Sequence, residues 1–402
     1  MRLLELSQHI NKCYMQADVV IIGAGPAGLC LARALTGIGL SIVMLERQSE
    51  AALSNPVFDG REIALTHTSF KLMQELGLWN HIDPQAVSAL RDAQILNGAS
   101  LFPLHIDHCD AKQNELGYLV SNYLIRKAAY EVVQASSDIV LKTETQVAKV
   151  EHNDGSVQIT LANGESIQAK LLVGADSRFS ETRRAMGIAA QMYDFGKTMM
   201  VCTMEHDVDH QHVAWEWFDY GQTLALLPMN GMRSSVVITL PAQDINHLMN
   251  LPEVDFNRDV EARFKHRLGA MRLVSTRHAY PMVTVYSKRL VGPRFALVGD
   301  AAVGMHPVTA HGFNFGLKGI TTLSKEIIAA QKSGKDIATP SLLSRYERIH
   351  RQNTRPLFLA THAIAKLYGN DTLPARLLRM GALRMTSRIT PIRRAVAGFL
   401  KG

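Results

Sequence analysis

Apolar positions along the chain fall into two periods, and their order sets the expected fold. "VVII" (19–22) and "SIVML" (41–45) are continuous and rich in β-branched residues, as in parallel strands buried on both faces. Between them Leu29, Ala32, Leu35 and Ile38 recur at helical spacing, so the first forty-odd residues read as strand, tight turn, helix, strand. Helices follow over 66–78 and 124–134. Residues 139–174 read as a β-meander turning at Asp154-Gly155 and Asn163-Gly164, and "TLALLPMNGMRSSVVITL" as a hairpin turning at Asn230-Gly231. "RFALV" (294–298) is a further buried strand. From Gly312 onward Phe313, Leu317, Ile320, Leu323 and Ile327 mark the buried side of a helix. Beyond residue 320 the pattern is helical, broken at Gly334 and Pro340.

The expected class is α/β, with a sheet-rich region inserted at 186–274 and a return to the first domain at "RFALVGDAA". A length of 402 residues allows two domains, or one large domain carrying an insertion. An apolar share of 47% with 20% charged residues excludes a disordered or fibrous chain. Cys13, Cys30, Cys109 and Cys202 form no CxxC pair, which argues for a reducing compartment and against a zinc knuckle or dithiol redox centre.

The formal charge of +7 sits at one end. From residue 341 onward ten Arg and two Lys face only Glu347 and Asp371, an excess of about +10. Few aromatics accompany them, so no nucleic-acid partner is expected. In "LPARLLRMGALRMTSRITPIRRAVAGFL" the arginines alternate with apolar residues. That fits basic helices lying on an anionic membrane surface, or solvated helices closing the first domain. "MRLLELSQHINKCYMQ" lacks the unbroken apolar core of a secretion signal, and Pro26, the glycines and Arg33 make 17–45 a poor spanning helix. The expected location is cytoplasmic, peripheral on the inner face of the cell membrane.

Three stretches carry chemistry. In Gly23-Ala24-Gly25-Pro26-Ala27-Gly28, Gly23 permits the tight turn, Gly25 lets the backbone approach a pyrophosphate, and Gly28 lets helix pack on strand. Glu46 closes the second strand, where a carboxylate accepts bonds from ribose hydroxyls. In "VGDAAVGMHPVTAHGFNFG" (298–316), Asp300 stands at a strand end facing a helix start, where open α/β sheets bind ligands; the plainer reading is a helix-capping aspartate. A flavin dinucleotide fits both ends, adenosine by Glu46 and ribityl hydroxyls by Asp300. In "LLVGADSRFSETRR" (171–184), Asp176 and Arg183 flank a tight turn that could equally be a surface strand end.

Together the GxGxxG turn, "GADSRFSETRR" and "GDAA…HP…GxN" resemble the signatures of the FAD-dependent aromatic hydroxylases. "FDGREIALTHTSFKLMQELGLW" and "LGYLVSNYLIRKAAYEVV" look like the ubiquinone-biosynthesis hydroxylases among them, over residues 17–400. "ADSRFSETRRAMGI…DFGK" and "YGQTLALLP" look closest to the 5-demethoxyubiquinol 5-hydroxylase branch. The resemblance implies a Rossmann-like FAD-binding domain of the glutathione-reductase type, p-hydroxybenzoate-hydroxylase-like, over 15–75, 105–185 and 275–335. It further implies a β-sheet substrate domain over 76–104 and 186–274, and a basic helical region over 336–402.

The same resemblance implies residue roles. Gly23, Gly25, Gly28 and Glu46 would hold the ADP half of FAD, Arg61 would approach the pyrophosphate, and Asn122 would bond the cofactor. Asp300 would take the ribityl chain, and Phe313 and Asn314 would offer backbone N–H groups to the ring. Asp176 and Arg183 match a motif linked to FAD and NADPH. His306, Pro307 and His311 would line the flavin loop. Ser177 departs from the family's usual glycine, and His311 from its glutamine, so that turn and that position differ.

NADPH (or NADH) would reduce FAD, O2 would add to it, and the resulting hydroperoxide would hydroxylate an electron-rich ring; no metal is implied. The expected substrate is a polyprenylated benzoquinol, hydroxylated at C5 of 5-demethoxyubiquinol, with other ubiquinone-biosynthesis proteins as partners. The competing readings are a hydroxylase of a small soluble phenol and a non-catalytic flavoprotein scaffold. "HDVDHQH" (206–212) and "HIDHC" (105–109) read as solvated loops rather than metal clusters. Trp215-x-Trp217 lacks the Ile-Pro that a flavin halogenase needs. Seven of the 17 methionines fall between Met186 and Met232, as core filler or as the wall of a greasy pocket.

Overall fold

β1 (Tyr14–Ile22), α1 (Pro26–Ala34) and β2 (Ile42–Leu45) form the expected strand–turn–helix–strand unit. The computed structural model describes residues 14–98, 103–111, 114–153, 155–306, 312–369 and a few positions up to 381. All four residues of β2 are buried, which is why that run is apolar without alternation. β1 pairs in parallel with β2 on one side and with Ser166–Gly174 on the other. Ile139–Lys142 extends the sheet beyond β2, and Phe295–Leu297 extends it beyond Ser166–Gly174, both in parallel. Five strands therefore point their C-terminal ends the same way, and the loops from those ends gather along one edge.

Two departures from the sequence expectation shape this sheet. Ile139–Lys142 leaves the meander to pair with β2, and only Val147–Asn153, Ser156–Leu161 and Ser166–Gly174 run antiparallel in succession. The helix after the aspartate turn spans Gly312–Lys332; Phe315, not Phe313, supplies the buried ring at its start.

A second sheet of nine strands carries the inserted region. Its hairpin at Asn230-Gly231 joins Gln222–Pro228 to Arg233–Pro241, as expected. Its outer face is sealed by the helices Ala242–Asn250 and Glu253–Arg263, whose Ile245, Leu248, Phe256 and Val260 pack on Met200, Met204, Trp217, Leu226 and Ile238. His278–Ser287, placed by the sequence reading in the first domain, runs here instead, paired with the long strand Ala190–His206. Leu104–Ile106 joins the same sheet through Asp92–Asn97. A small three-stranded sheet (Glu62–Leu65, Ser88–Leu90, Gly117–Ser121) completes the fold. Among the described residues no helix is long and apolar enough to cross a membrane. The basic tail beyond residue 381 lies outside the described residues.

Candidate active site

The glycine turn is built by contacts that exclude any side chain. Gly23 takes φ +106°, and a Cβ there would lie 2.6 Å from the Ala175 carbonyl oxygen. At Gly28 a Cβ would stand 2.0 Å from the Gly23 oxygen. Gly25 differs, since a Cβ there meets nothing within 4 Å. The opening in front of Gly25 faces the N-terminal end of α1, where no side chain caps the free N–H groups. Glu46 Oε2 accepts the Ala24 N–H at 2.7 Å and Oε1 accepts Gln48 N–H at 2.9 Å. Its remaining lone pairs face a cleft bordered by Gly23, Arg47, Val147, Asp176 and Thr182.

The Asp176 turn lies directly against that cleft. Asp176 Oδ2 accepts Thr182 N–H at 3.1 Å, while its buried Oδ1 has no partner among the described residues. Arg183 is 3% exposed, and its Nη1 donates to the Arg178 carbonyl at 3.1 Å. It braces the turn from beneath. Arg178, unremarked in the sequence reading, spans the gap to the third motif. Its Nη2 donates to Asp300 Oδ2 at 2.9 Å and its Nη1 to the Val283 carbonyl at 3.0 Å. Asp300 thus engages an arginine rather than capping a helix, and its Oδ1 has no protein partner among the described residues. Gly299 holds φ +58° and packs on Ala27, where a Cβ would lie 2.7 Å away. This contact fixes the aspartate turn against the start of α1.

Arg61 and Asn122 are joined by a residue that the sequence reading passed over. Asp59 Oδ2 accepts Arg61 Nη2 at 2.5 Å and Asn122 Nδ2 at 2.7 Å. The adjacent Arg61 holds the Asp59 carboxyl below the usual range, against the opposing pull of burial. Tyr280 donates to the Asp59 carbonyl at 2.7 Å, tying this loop to the nine-stranded sheet. Asn314 is buried; its Nδ2 donates to the Ala64 carbonyl at 2.8 Å and its Oδ1 accepts Thr66 N–H at 3.1 Å, which pins the helix start to the strand Glu62–Leu65. Phe313 beside it is half-buried.

His306 packs edge-on against Phe195 with ring centroids 4.7 Å apart. Burial pushes its imidazole down to about 4, so at neutral pH it shapes the wall without charge. Pro307 and His311 lie outside the described residues.

Other candidate chemistry resolves into structure. His206 and His210 are buried, not solvated: His206 Nε2 meets Ser234 Oγ at 2.9 Å and His210 Nε2 meets the Met229 carbonyl at 2.8 Å. His212 Nδ1 meets the Ala89 carbonyl at 3.2 Å. Asp107, His108 and Cys109 do bring ligand-type atoms within 4.8 Å, but His108 Nδ1 is held by Asp92 Oδ1 at 2.7 Å. Cys30 and Cys202 are buried, and burial pushes both thiols up to about 12, which removes them as nucleophiles.

A parallel sheet with an uncapped glycine turn, a glutamate at the end of the second strand and an aspartate turn at one edge defines a dinucleotide-binding flavoprotein domain. The open face of Gly25 and the orphaned Asp176 Oδ1 fit FAD. Residues 16–357 match the family described as FAD binding domain. The chain is 45% identical to the ubiquinone hydroxylase UbiM of Neisseria meningitidis, over 96% of this chain and 85% of that one. It is 34% identical to the ubiquinone hydroxylase UbiL of Rhodospirillum rubrum, over 94% and 88%. The crystal structure of p-nitrophenol 4-monooxygenase PnpA from Pseudomonas putida DLL-E4 superposes with a TM-score of 0.78 at 18% identity, covering 97% of this chain and 99% of that one. The chain belongs to the FAD-dependent ubiquinone-biosynthesis hydroxylases, within the aromatic-ring flavoprotein monooxygenases.

Proposed function

We propose that this enzyme hydroxylates C5 of the ring of 5-demethoxyubiquinol, a polyprenylated benzoquinol, using NADPH or NADH as reductant and O2 as oxygen donor. Gly23, Gly25 and Gly28 with the N-terminus of α1 hold the FAD pyrophosphate, and Glu46 takes the ribose. Asp300 meets the ribityl chain through Oδ1, while Arg178 fixes its other oxygen. Arg61 and Asn122, set by Asp59, close over the cofactor, and the Phe313 and Asn314 backbone N–H groups face its ring. Asp176 and Arg183 shape the turn beside it, and His306 contributes a neutral wall. Bound FAD supplies the electron transfer and oxygen activation; the chain's own residues position the quinol and keep water out.

One observation carries this reading. Turns from three remote parts of the sequence, Gly23–Gly28, Asp176 and Gly299–Asp300, converge on one helix N-terminus. The ring position rests on the resemblance of "ADSRFSETRRAMGI" and "YGQTLALLP" to the 5-hydroxylase branch. A strain deleted for this gene and analysed by mass spectrometry of its quinones should accumulate the precursor lacking only the C5 oxygen. Accumulation of a precursor lacking a different ring oxygen would move the reaction to that carbon. Unchanged ubiquinone would remove the chain from the pathway.

A further inference from the structure

The nine-stranded sheet has two unlike faces. On the outer face Leu96, Trp217, Leu224, Leu226, Val236 and Ile238 are buried under two helices, with Lys265 and Arg267 stacked on Trp217. Side chains alternate along each strand, so residues between these point the other way. One inner row reads, in register, Ile95, Glu216, Ala225, Val237, Val201, His278.

The row ends beneath the cofactor loop. A Cβ at Gly60 would lie 2.8 Å from Val201, and Tyr280 beside it reaches Asp59. Ile95, Glu216, Ala225 and Val237 all remain partly exposed, whereas Leu96, Trp217, Leu224, Leu226, Val236 and Ile238 on the other face are buried. Three strand spacings separate Val201 from Glu216, about 14 Å along the sheet from the cofactor loop to the carboxyl.

Glu216 stands out in this lane. No hydrogen bond or ion pair reaches its carboxyl among the described residues. Loss of hydration alone pushes it up to about 8, so near neutral pH it carries a proton. A partly exposed carboxyl in an apolar lane, with no protein partner among the described residues, leaves its hydrogen-bonding atoms to a ligand.

We propose that Glu216 anchors the substrate ring: its carboxyl hydrogen-bonds two neighbouring ring oxygens while Ile95, Ala225 and Val237 meet the ring's apolar face. The inference deepens the hydroxylase reading and rests on it. In its neutral form the group offers one O–H donor and one carbonyl acceptor. That pair matches a methoxy oxygen next to a ring hydroxyl, and it discriminates against rings lacking either.

The test is binding of a decyl-substituted methoxyhydroquinone to the FAD-loaded protein, read by the fluorescence of Trp215 and Trp217 on the flanking positions. Glu216→Leu should weaken binding about tenfold or more with FAD content unchanged, the loss of two partly buried hydrogen bonds. Glu216→Gln, which keeps a donor and an acceptor, should stay within about threefold of wild type. Ala225→Leu, filling the lane beside the carboxyl, should also weaken binding at full FAD content, and it decides the matter if Glu216→Leu does not fold. Wild-type affinity in a folded Glu216→Leu or Ala225→Leu protein overturns the anchor and leaves the hydroxylase reading intact. A wild-type protein that carries FAD yet binds no quinol overturns both.

Discussion

Replacing Gly25 with valine should leave a folded protein that no longer retains FAD, whereas replacing Gly28 with alanine should damage the fold itself. The two glycines stand three residues apart in one motif, so any general effect of losing glycine would strike both alike. Their surroundings differ. Gly25 has φ −72° and ψ 175°, a conformation open to any residue, and a Cβ there points into free space. A valine side chain would fill the ground that a pyrophosphate needs and hold it off the backbone N–H groups. Hydrogen bonds to a charged partner contribute roughly 1.5–3 kcal/mol each, so losing one or two weakens FAD by about a hundredfold. At Gly28 the added carbon would sit 2.0 Å from the Gly23 oxygen, which is backbone held at φ +106° against Ala175. Relief requires moving α1 off β1, at a cost on the order of 3 kcal/mol. Thermal melting by circular dichroism, paired with FAD content, separates the two outcomes. A Gly25→Val protein that keeps FAD at wild-type affinity would contradict the assignment of that opening to pyrophosphate.

Asp300→Ala should cut FAD affinity by about a hundredfold, and Arg178→Met should cut it much less. Asp300 serves two partners in this account. Oδ2 is bound to Arg178 at 2.9 Å, with side-chain exposures of 39% and 29%, a geometry in which solvent screens much of the pair's value. Oδ1 is left for the ribityl hydroxyls. Removing Arg178 frees the carboxylate to swing but leaves both acceptors present. Removing Asp300 deletes the acceptor and also strands the guanidinium. Equal losses of FAD in the two variants, measured by equilibrium titration of the apoproteins, would show instead that the ion pair is the aspartate's main purpose.

What could be read from the sequence was what local geometry writes there. The glycine turn, Glu46 and the strand–helix–strand unit fall within thirty-odd residues, and each glycine's reason lies inside that span or against it. The place of Asp300, at a strand end ahead of a helix, was legible because Phe295–Leu297 and Gly312–Lys332 bracket it closely. Arg178 was not, because its partner stands 122 residues away and nothing in "DSR" specifies an ion pair between the turns that follow two paired strands. Asp59 was hidden similarly: "FDGREIAL" and "SNYLIRKAAYEVV" each offer a candidate in Arg61 and Asn122, but their common acceptor stands 63 residues from Asn122. Val213–Asp219 pairs in parallel with Asp92–Asn97, a partnership that no local pattern encodes, and without it the inner row holding Glu216 cannot be drawn. The histidines of "HDVDHQH" looked solvated because polar neighbours surround them in sequence; in space the hairpin at Asn230 and the strand Ser88–Leu90 close over them.

Titrating the folded apoprotein with FAD, and following the flavin's absorbance and fluorescence, tests most directly whether the converged turns hold that cofactor. Saturation at an equimolar amount, with Gly25→Val and Asp300→Ala each failing to saturate at the same concentration, is the predicted result. A folded protein that takes up no flavin, or takes it up equally well without Gly25 and Asp300, would contradict the account.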